Sequence, residues 1–387
     1  MTKQEFLNEL RNLTGALSEG ERSKLLEYYE EMIDDRVEEG MPEEEAVAAM
    51  GSPADIAAEF APAGKQDTAG GGSQAVDALR SLRVKVANAD VKVVCEPLDN
   101  GAAAQLRFSD PERFEWRMDG DALVVLERQM EGGHRGLEFG LRWLKQMITE
   151  PGLRVTIALS EGLADALDIE GSGSDLRLEG VSFAKAQLVT ASGDITLKGV
   201  NCEGGIGIDI RTHSGDVTLT DVRSANLIAH AASGDITVQG LKLSGRLRLQ
   251  SSSGDVELRG SEGDALSITT ASGDIEADCC RFGAAAVHAA SGDVRLDELE
   301  TDPQLAVETA SGDIELTRCI ARETRVNTAS GDVELRLEPL PCGYDIAANT
   351  VSGDIQFGEG CVGSTGEEKP RIAVKTVSGD IDAFLAR

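Results

Sequence analysis

The triplet Ser-Gly-Asp occurs ten times in the second half of the chain, always followed by Ile or Val, with its glycines at 193, 215, 234, 254, 273, 292, 312, 331, 353 and 379. Most intervals are 19 or 20 residues, and a degenerate copy, Gly173-Ser174-Asp175, precedes the series by a similar interval. Self-similarity at so short a period marks stacked units, none of which can bury an apolar face alone. The feature excludes most compact folds and points to a solenoid.

The residues around each triplet say how the unit is wound. Directly after the Asp stand Ile195, Val217, Ile236, Val256, Ile275, Val294, Ile314, Val333, Ile355 and Ile381, and two places on come Leu197, Leu219, Val238, Leu258, Leu296, Leu316 and Leu335. The residues between them, such as Thr196, Thr237 and Glu257, are polar, so each unit holds a strand with one inward face. A second inward column lies four places before the Ser, at Leu188, Ile210, Leu249, Ile268, Val287, Val307 and Val326. A third holds Val181, Val200, Val222, Leu241, Cys280, Leu299 and Cys319. Three inward columns per period predict a coil of roughly triangular section whose strands stack in parallel. The expected fold is therefore mainly β, a parallel β-helix of about eleven coils over residues 166–387, some 50 Å long at ~4.8 Å per coil. With 4% aromatic residues and 43 glycines, the chain suits a narrow core of aliphatic side chains better than a sandwich built round large rings.

The remainder divides into three further segments. Residues 1–62 read as a small all-α domain. Thr2 with Glu5 and Ser18 with Glu21 form capping boxes, Gly40 and Gly51 end helices, and Pro42 and Pro53 occupy first-turn positions. Phe6, Leu7, Leu10 and Leu13, then Leu25, Leu26, Tyr29, Ile33 and Val37, recur at three and four residues and leave one apolar stripe per helix. Residues 63–73, rich in Gly and small polar side chains, read as a flexible linker. Residues 74–165 read as a β-rich N-terminal cap, with a short helix expected around 136–148.

Charge and sequence bound the function classes. The formal net charge is -31, and residues 1–60 contribute 16 Asp and Glu against 5 Lys and Arg. Such a chain repels phosphate backbones and anionic headgroups, so no direct nucleic-acid binding is expected. No run of about 18 apolar residues occurs, so no membrane span is expected, and without a signal-peptide pattern the expected compartment is the cytoplasm. Seven cysteines at irregular spacings fit a reducing compartment.

The triplets also stack ten acids on one edge: Asp194, Asp216, Asp235, Asp255, Asp274, Asp293, Asp313, Asp332, Asp354 and Asp380. At a coil's separation, neighbours repel by roughly 0.9 kcal/mol in water's dielectric before salt screening. Local hydrogen bonding with solvent screening answers that charge; a ladder of bound cations such as calcium is the alternative. In either reading the Gly supplies the positive φ of a corner and Ser and Asp bond nearby N–H groups. His230 and His288 share one outward slot three coils apart, too far to hold one metal ion, while His134 and His213 have no nucleophile or base beside them. Cys280 and Cys319, two coils apart in the inward column, read as structural thiols. Catalysis needs one coil to differ and the acid column is uniform, so no enzyme, cofactor or resident metal is expected.

Two resemblances refine this. Ser-Gly-Asp-[Ile/Val] coils at this period, led in by Leu153-Arg154-Val155-Thr156-Ile157, resemble a bacterial adhesin-like β-helix family over residues 80–387. Leu26-Glu27-Tyr28-Tyr29-Glu30-Glu31, Glu44-Glu45-Ala46 and Met50-Gly51-Ser52-Pro53 resemble the HAAS α-helical signalling domain. The second resemblance implies a protein partner at residues 1–62, with a PadR-like winged-helix transcription regulator as the expected one, and a role in relaying a regulatory signal. The expected function is thus a binding or scaffold protein. The alternatives are a structural protein that self-assembles through its C-terminal coil, Ser378 to Leu385, and a carbohydrate-binding or adhesin-like protein. The last needs an exposed aromatic strip, whereas Trp116 and Trp143 both precede the coils.

Overall fold

The computed structural model describes residues 1–14, 19–38, 41–48, 50–59, 74–76, 79–98, 101–128, 152–163, 165–202, 207–359, 361 and 369–386. It separates into a helical unit, residues 1–72 with 129–154, and a β unit, residues 73–128 with 155–387. The linker expected at 63–73, the helix expected near 136–148, and Ser18, Gly40, His134 and Trp143 lie outside the described residues.

In the helical unit, α1 (Lys3–Leu13), α2 (Glu19–Glu38), α3 (Glu43–Ala48) and α4 (Pro53–Glu59) enclose a small core. The Thr2–Glu5 capping box is present in both directions, so two orphan N–H groups of α1 are satisfied. Phe6 and Leu10 of α1 meet Leu25, Leu26, Tyr29 and Ile33 of α2 and Val47, Met50 and Ile56 beyond it, all buried. The rings of Phe6 and Tyr29 sit 5.7 Å apart in a tilted pair. Lys3 ties the helices from outside, its ammonium 2.8 Å from Asp34.

The β unit is a parallel solenoid. Ile195–Lys198 pairs in parallel with Leu176–Glu179 on one side and Val217–Thr220 on the other, each residue facing its counterpart in the repeat. Lys185–Thr190 pairs likewise with Ala166–Glu170 and Gly207–Thr212. In-register stacking puts Ile195, Val217, Ile236, Val256 and Ile275 in one inward column at 0–1% exposure, as their positions after the triplet require. Burial of those columns is the main stabilising term, roughly 1.5–3 kcal/mol for each fully buried aliphatic side chain.

The third side is shorter: Asn201–Cys202, Arg223–Ser224 and Lys242–Leu243 pair in sequence, and single bridges extend the row to Ser182 and Ile320. Eight turns therefore carry three sides, from the turn holding Ser182 to the turn holding Ile320. The coils of the remaining triplets pair on two sides only.

At both ends the spatial order departs from chain order. Ser81–Lys85 lies between Ala122–Glu127 and Ala166–Glu170, and Asp90–Cys95 pairs with Leu176–Glu179, so the segment read as a cap contributes a coil of the stack itself. At the other end, Arg371–Lys375 lies between Glu323–Ser330 and Asp345–Asn349, and Ile381–Leu385 between Val333–Leu337 and Ile355–Phe357. This corrects the expectation that Ser378 to Leu385 forms the free edge: that coil is paired on both sides, and the outermost coil is 345–357. The reason is in the spacing. From Gly353 to Gly379 the interval stretches to 26 residues, enough extra chain to step back over one coil.

Candidate functional site

The aspartates of the triplets form one continuous hydrogen-bonded ladder. The backbone N–H of each donates to Oδ1 of the preceding one: Asp194 to Asp175 at 3.0 Å, Asp216 to Asp194 at 2.9 Å, and Asp255 to Asp235, Asp274 to Asp255 and Asp293 to Asp274 each at 2.8 Å. At the reordered end it runs through Asp332, Asp380 and then Asp354, following space and not sequence. At the other end Asp175 donates to Asp90, so the out-of-order coil joins the ladder too. A charged acceptor on an amide donor is a strong hydrogen bond, and here each offsets the repulsion between stacked carboxylates. Among the described residues no three His, Cys, Asp or Glu side chains gather in a metal-binding arrangement.

Behind the ladder runs a second column that sequence reasoning missed. Two places before the Ser stand Thr190, Thr212, Ser251, Thr270, Thr309, Thr328 and Thr376, all buried at 6% exposure or less. The Thr270 hydroxyl accepts from the N–H of Gly273 in its own triplet at 3.0 Å and donates to the carbonyl of Gly254 one coil below at 3.4 Å. Ser251 does the same with Gly254 and Gly234, at 2.8 and 3.1 Å. The motif is thus Thr-x-Ser-Gly-Asp. Its signal was a hydroxyl recurring at an otherwise inward, aliphatic position.

The triplet glycine is required for a reason other than the one expected. Only Gly312, Gly331, Gly353 and Gly379 have a positive φ, at 153–157°, close to extended backbone. What forbids a side chain is approach: a Cβ on Gly254 would lie 2.1 Å from the carbonyl oxygen of Gly234, and on Gly215 1.9 Å from that of Gly193. The left-handed residue sits at the next corner, five places after the Asp. Gly180, Gly199, Gly240 and Gly260 occupy it with φ of 56–68°, but Asp221, Cys279, Glu298 and Arg318 take the same place at 49–53°.

At this second corner individual chemistry gathers. The Cys279 thiol lies 3.2 Å from Asp278 Oδ1 and 3.3 Å from Glu298 Oε2, and these hydrogen bonds, with the two negative charges behind them, push its pKa up to about 12. A thiolate there would face two carboxylates, so the group is a poor nucleophile. Arg318 bridges Asp297 at 3.0 Å and Glu298 at 2.9 Å. Beside them a groove of about 440 Å³ is lined by Cys279, Arg281, Glu298, Arg318, Ile320 and Glu338.

A family pattern matches residues 154–242 and again 217–383, together more than half of the chain. The protein belongs to the Toastrack DUF4097 family. A second pattern, HAAS, matches residues 5–59 of this Toastrack DUF4097 protein, the segment of the four helices. Among solved structures, a candidate lipid-binding protein from Parabacteroides distasonis is 14% identical, covering 80% of this chain and 94% of that one, at a TM-score of 0.31. A candidate adhesin from Bacteroides fragilis is 10% identical, covering 80% and 94%, at 0.23. A candidate cell-adhesion protein from Clostridium sporogenes is 8% identical, covering 81% and 96%, at 0.17. Superposition at these scores is too loose to transfer a site. No curated protein matches the chain in sequence.

In the Toastrack DUF4097 solenoid His230 faces outward between Arg211 and Gln250, and His288 between Thr269 and Glu308, in the shared slot the repeat assigned them. His288 Nδ1 stands 3.9 Å from Glu308. Cys280 is buried in the inward column beside Leu299, Cys319 is half-buried, and burial pushes the Cys319 thiol up to about 12.

Proposed function

We propose that this protein is a non-enzymatic adaptor of the cytoplasm, whose HAAS unit docks a protein partner, a PadR-like transcription regulator, while the solenoid presents a long surface to a ligand. The observation that carries the reading is the uniform use of the corner carboxylates. From Asp90 through Asp380 each side chain takes the same backbone hydrogen bond from the next coil, the last of them given by Asp354, so the acids of the repeat serve stacking. An edge built that way is a scaffold, and its variable second corner is where a ligand would find individual residues.

At the helical end, Leu13, Val37 and Met41 remain 38–48% exposed outside the closed core. Apolar side chains left on a small acidic module favour a partner that covers them and answers the charge. A DNA-binding regulator carries basic surface, and 16 acids against 5 bases in residues 1–60 complement it. Seven free thiols favour a reducing compartment.

The test is calorimetric titration of the full chain with a purified PadR-like regulator. Replacing Val37 and Met41 together by Lys should weaken binding by about tenfold or more, since the two ammonium groups would be buried against the partner's basic surface. A wild-type chain that binds no such regulator would remove the docking role.

A further inference from the structure

The cations of the solenoid's middle coils are not treated alike. Between Asn226 and Ile320 the sequence holds seven Lys and Arg against sixteen Asp and Glu. Five of the seven, Lys242, Arg259, Arg281, Arg295 and Arg318, each stand 3.6 Å or less from a carboxylate. The other two, Arg246 and Arg248, are exposed on the strand Arg246–Ser251 of the second side, and among the described residues no carboxylate lies within ion-pair distance of either. In so acidic a stretch, two neighbouring arginines left without a partner stand out.

Their side of the solenoid is where acid is scarce. Of the sixteen acids only Glu308 falls in the second-side strands of these coils, 227–231, 246–251, 265–270, 284–289 and 304–309. The first-side strands of the same coils carry Glu257, Glu276, Asp278, Asp297 and Glu315. In register, Arg248 stands between Ile228 and Ser267, and Arg246 faces Ala265. Short side chains continue outward through Ala284, Ala286 and Ala306, so the two guanidinium groups rise beside a flat, neutral surface. Ile228, 44% exposed, adds an apolar flank. Acids bound the patch at either end: Asp209, opposite Ile228 and held by Arg211 at 2.8 Å, and Glu308, which accepts from Asn327 at 3.2 Å. Between them the surface answers two negative charges and no more.

We propose that Arg246 and Arg248 hold a short acidic segment of a protein partner, extended across the second side along the strand Arg246–Ser251. Two residues apart on one strand, the arginines are about 7 Å from each other, which is also the spacing of side chains at alternate positions of an extended peptide. Each guanidinium meets one carboxylate with two parallel N–H donors, and Ile228 packs against the aliphatic part of the segment. Other anions fit less well. A nucleic acid would carry its phosphates on to the acids that bound the patch, and the patch holds no Phe, Tyr or Trp on which bases could stack. Two cations are too few to hold an anionic membrane against a chain charge of -31. This contact rests on the reading of the solenoid as a ligand surface, lies on the second side and not at the second corner, and does not depend on the partner at the helical unit.

Selection of a displayed library of random short peptides on the full chain, followed by fluorescence anisotropy of the enriched peptides, tests this. Peptides with Asp or Glu at alternate positions should be enriched, and they should bind about tenfold more weakly to Arg246→Gln with Arg248→Gln. Both sites are exposed, so that variant should keep the wild-type circular dichroism spectrum and melting temperature; Arg248→Gln alone should give a smaller loss of about threefold. Lys242→Gln with Arg259→Gln removes the same charge from the other two sides and should leave binding unchanged. Acidic peptides that bind both double variants alike, no enrichment of acids, or binding of the wild type to phosphatidylserine vesicles that the Arg246 and Arg248 variant loses would each overturn the proposal. Enrichment of peptides without acids would do so while leaving the solenoid a ligand surface, and none of these outcomes bears on the regulator docked at the helical end.

Discussion

Two of the corners in each of the solenoid's three-sided coils are built on opposite terms. At the Ser-Gly-Asp corner the sequence hardly varies, since three constraints meet there: a Cβ would strike the carbonyl of the coil below, the Asp carboxylate takes the next coil's N–H, and the hydroxyl two places before the Ser spans both. At the second corner only the backbone is fixed. A left-handed φ is held by Gly260 but equally by Cys279, Glu298 and Arg318 in the three following coils, with open space round the Cα of Gly260. The first corner transmits the repeat from coil to coil. The second tolerates local strain and so can carry what distinguishes one coil from the next.

The sharpest way to break this contrast is to put the same methyl group at both corners of one coil. Gly254→Ala forces a Cβ to within 2.1 Å of the Gly234 oxygen, and because neighbouring coils are locked in register the backbone has nowhere to yield. The expected loss is about 3 kcal/mol or more, at or beyond the upper end of overpacking costs. Gly260→Ala meets no atom within 4 Å and bears only the left-handed φ of 56°, costing about 1–2 kcal/mol. Chemical denaturation of the two variants measures both. Equal losses would mean that φ, and not approach, makes the triplet glycine necessary.

A second comparison lies along one strand. Ile236 is fully buried between Val217 and Val256, whereas Thr237 points outward between Thr218 and Glu257. Ile236→Ala should cost about 2–5 kcal/mol and Thr237→Ala less than about 0.5. Similar values in urea titrations would contradict the inward assignment on which the coil rests.

How much of this was legible beforehand follows from which interactions leave a period in the sequence. The aliphatic columns did, because burial selects residue type at a fixed place in every coil; hence the parallel β-helix and the inward Cys280 were readable. The aspartate edge was readable as a ladder, but its hydrogen bonds were not, since a carboxylate that accepts a backbone N–H and one that binds a cation are the same letter. Thr190, Thr212 and Thr270 were passed over because a hydroxyl in an inward column looks like a defect until the glycine N–H and C=O it joins are seen. The reordered ends were missed for another reason. Pairing order is not written in the coils themselves, and only the 26-residue interval before Gly379 hinted that a coil had been skipped.

The smallest effect is the most informative about the edge itself. Asp255 receives the N–H of Asp274 on Oδ1 and gives its own to Asp235, so Asp255→Asn keeps an oxygen acceptor at the same place while removing one charge from a like-charged row. Loss of a charge-assisted bond and relief of repulsion oppose each other, and with the group exposed to solvent both are screened. The net change should lie within about 0.5 kcal/mol, and adding calcium or a chelator should leave the melting temperature of both proteins unchanged. A marked loss in the Asn variant, accompanied by stabilisation of the wild type alone by calcium, would mean that the carboxylates hold cations. The first corner would then be a binding edge as well as a stacking device, and the division of labour between the two corners would fall.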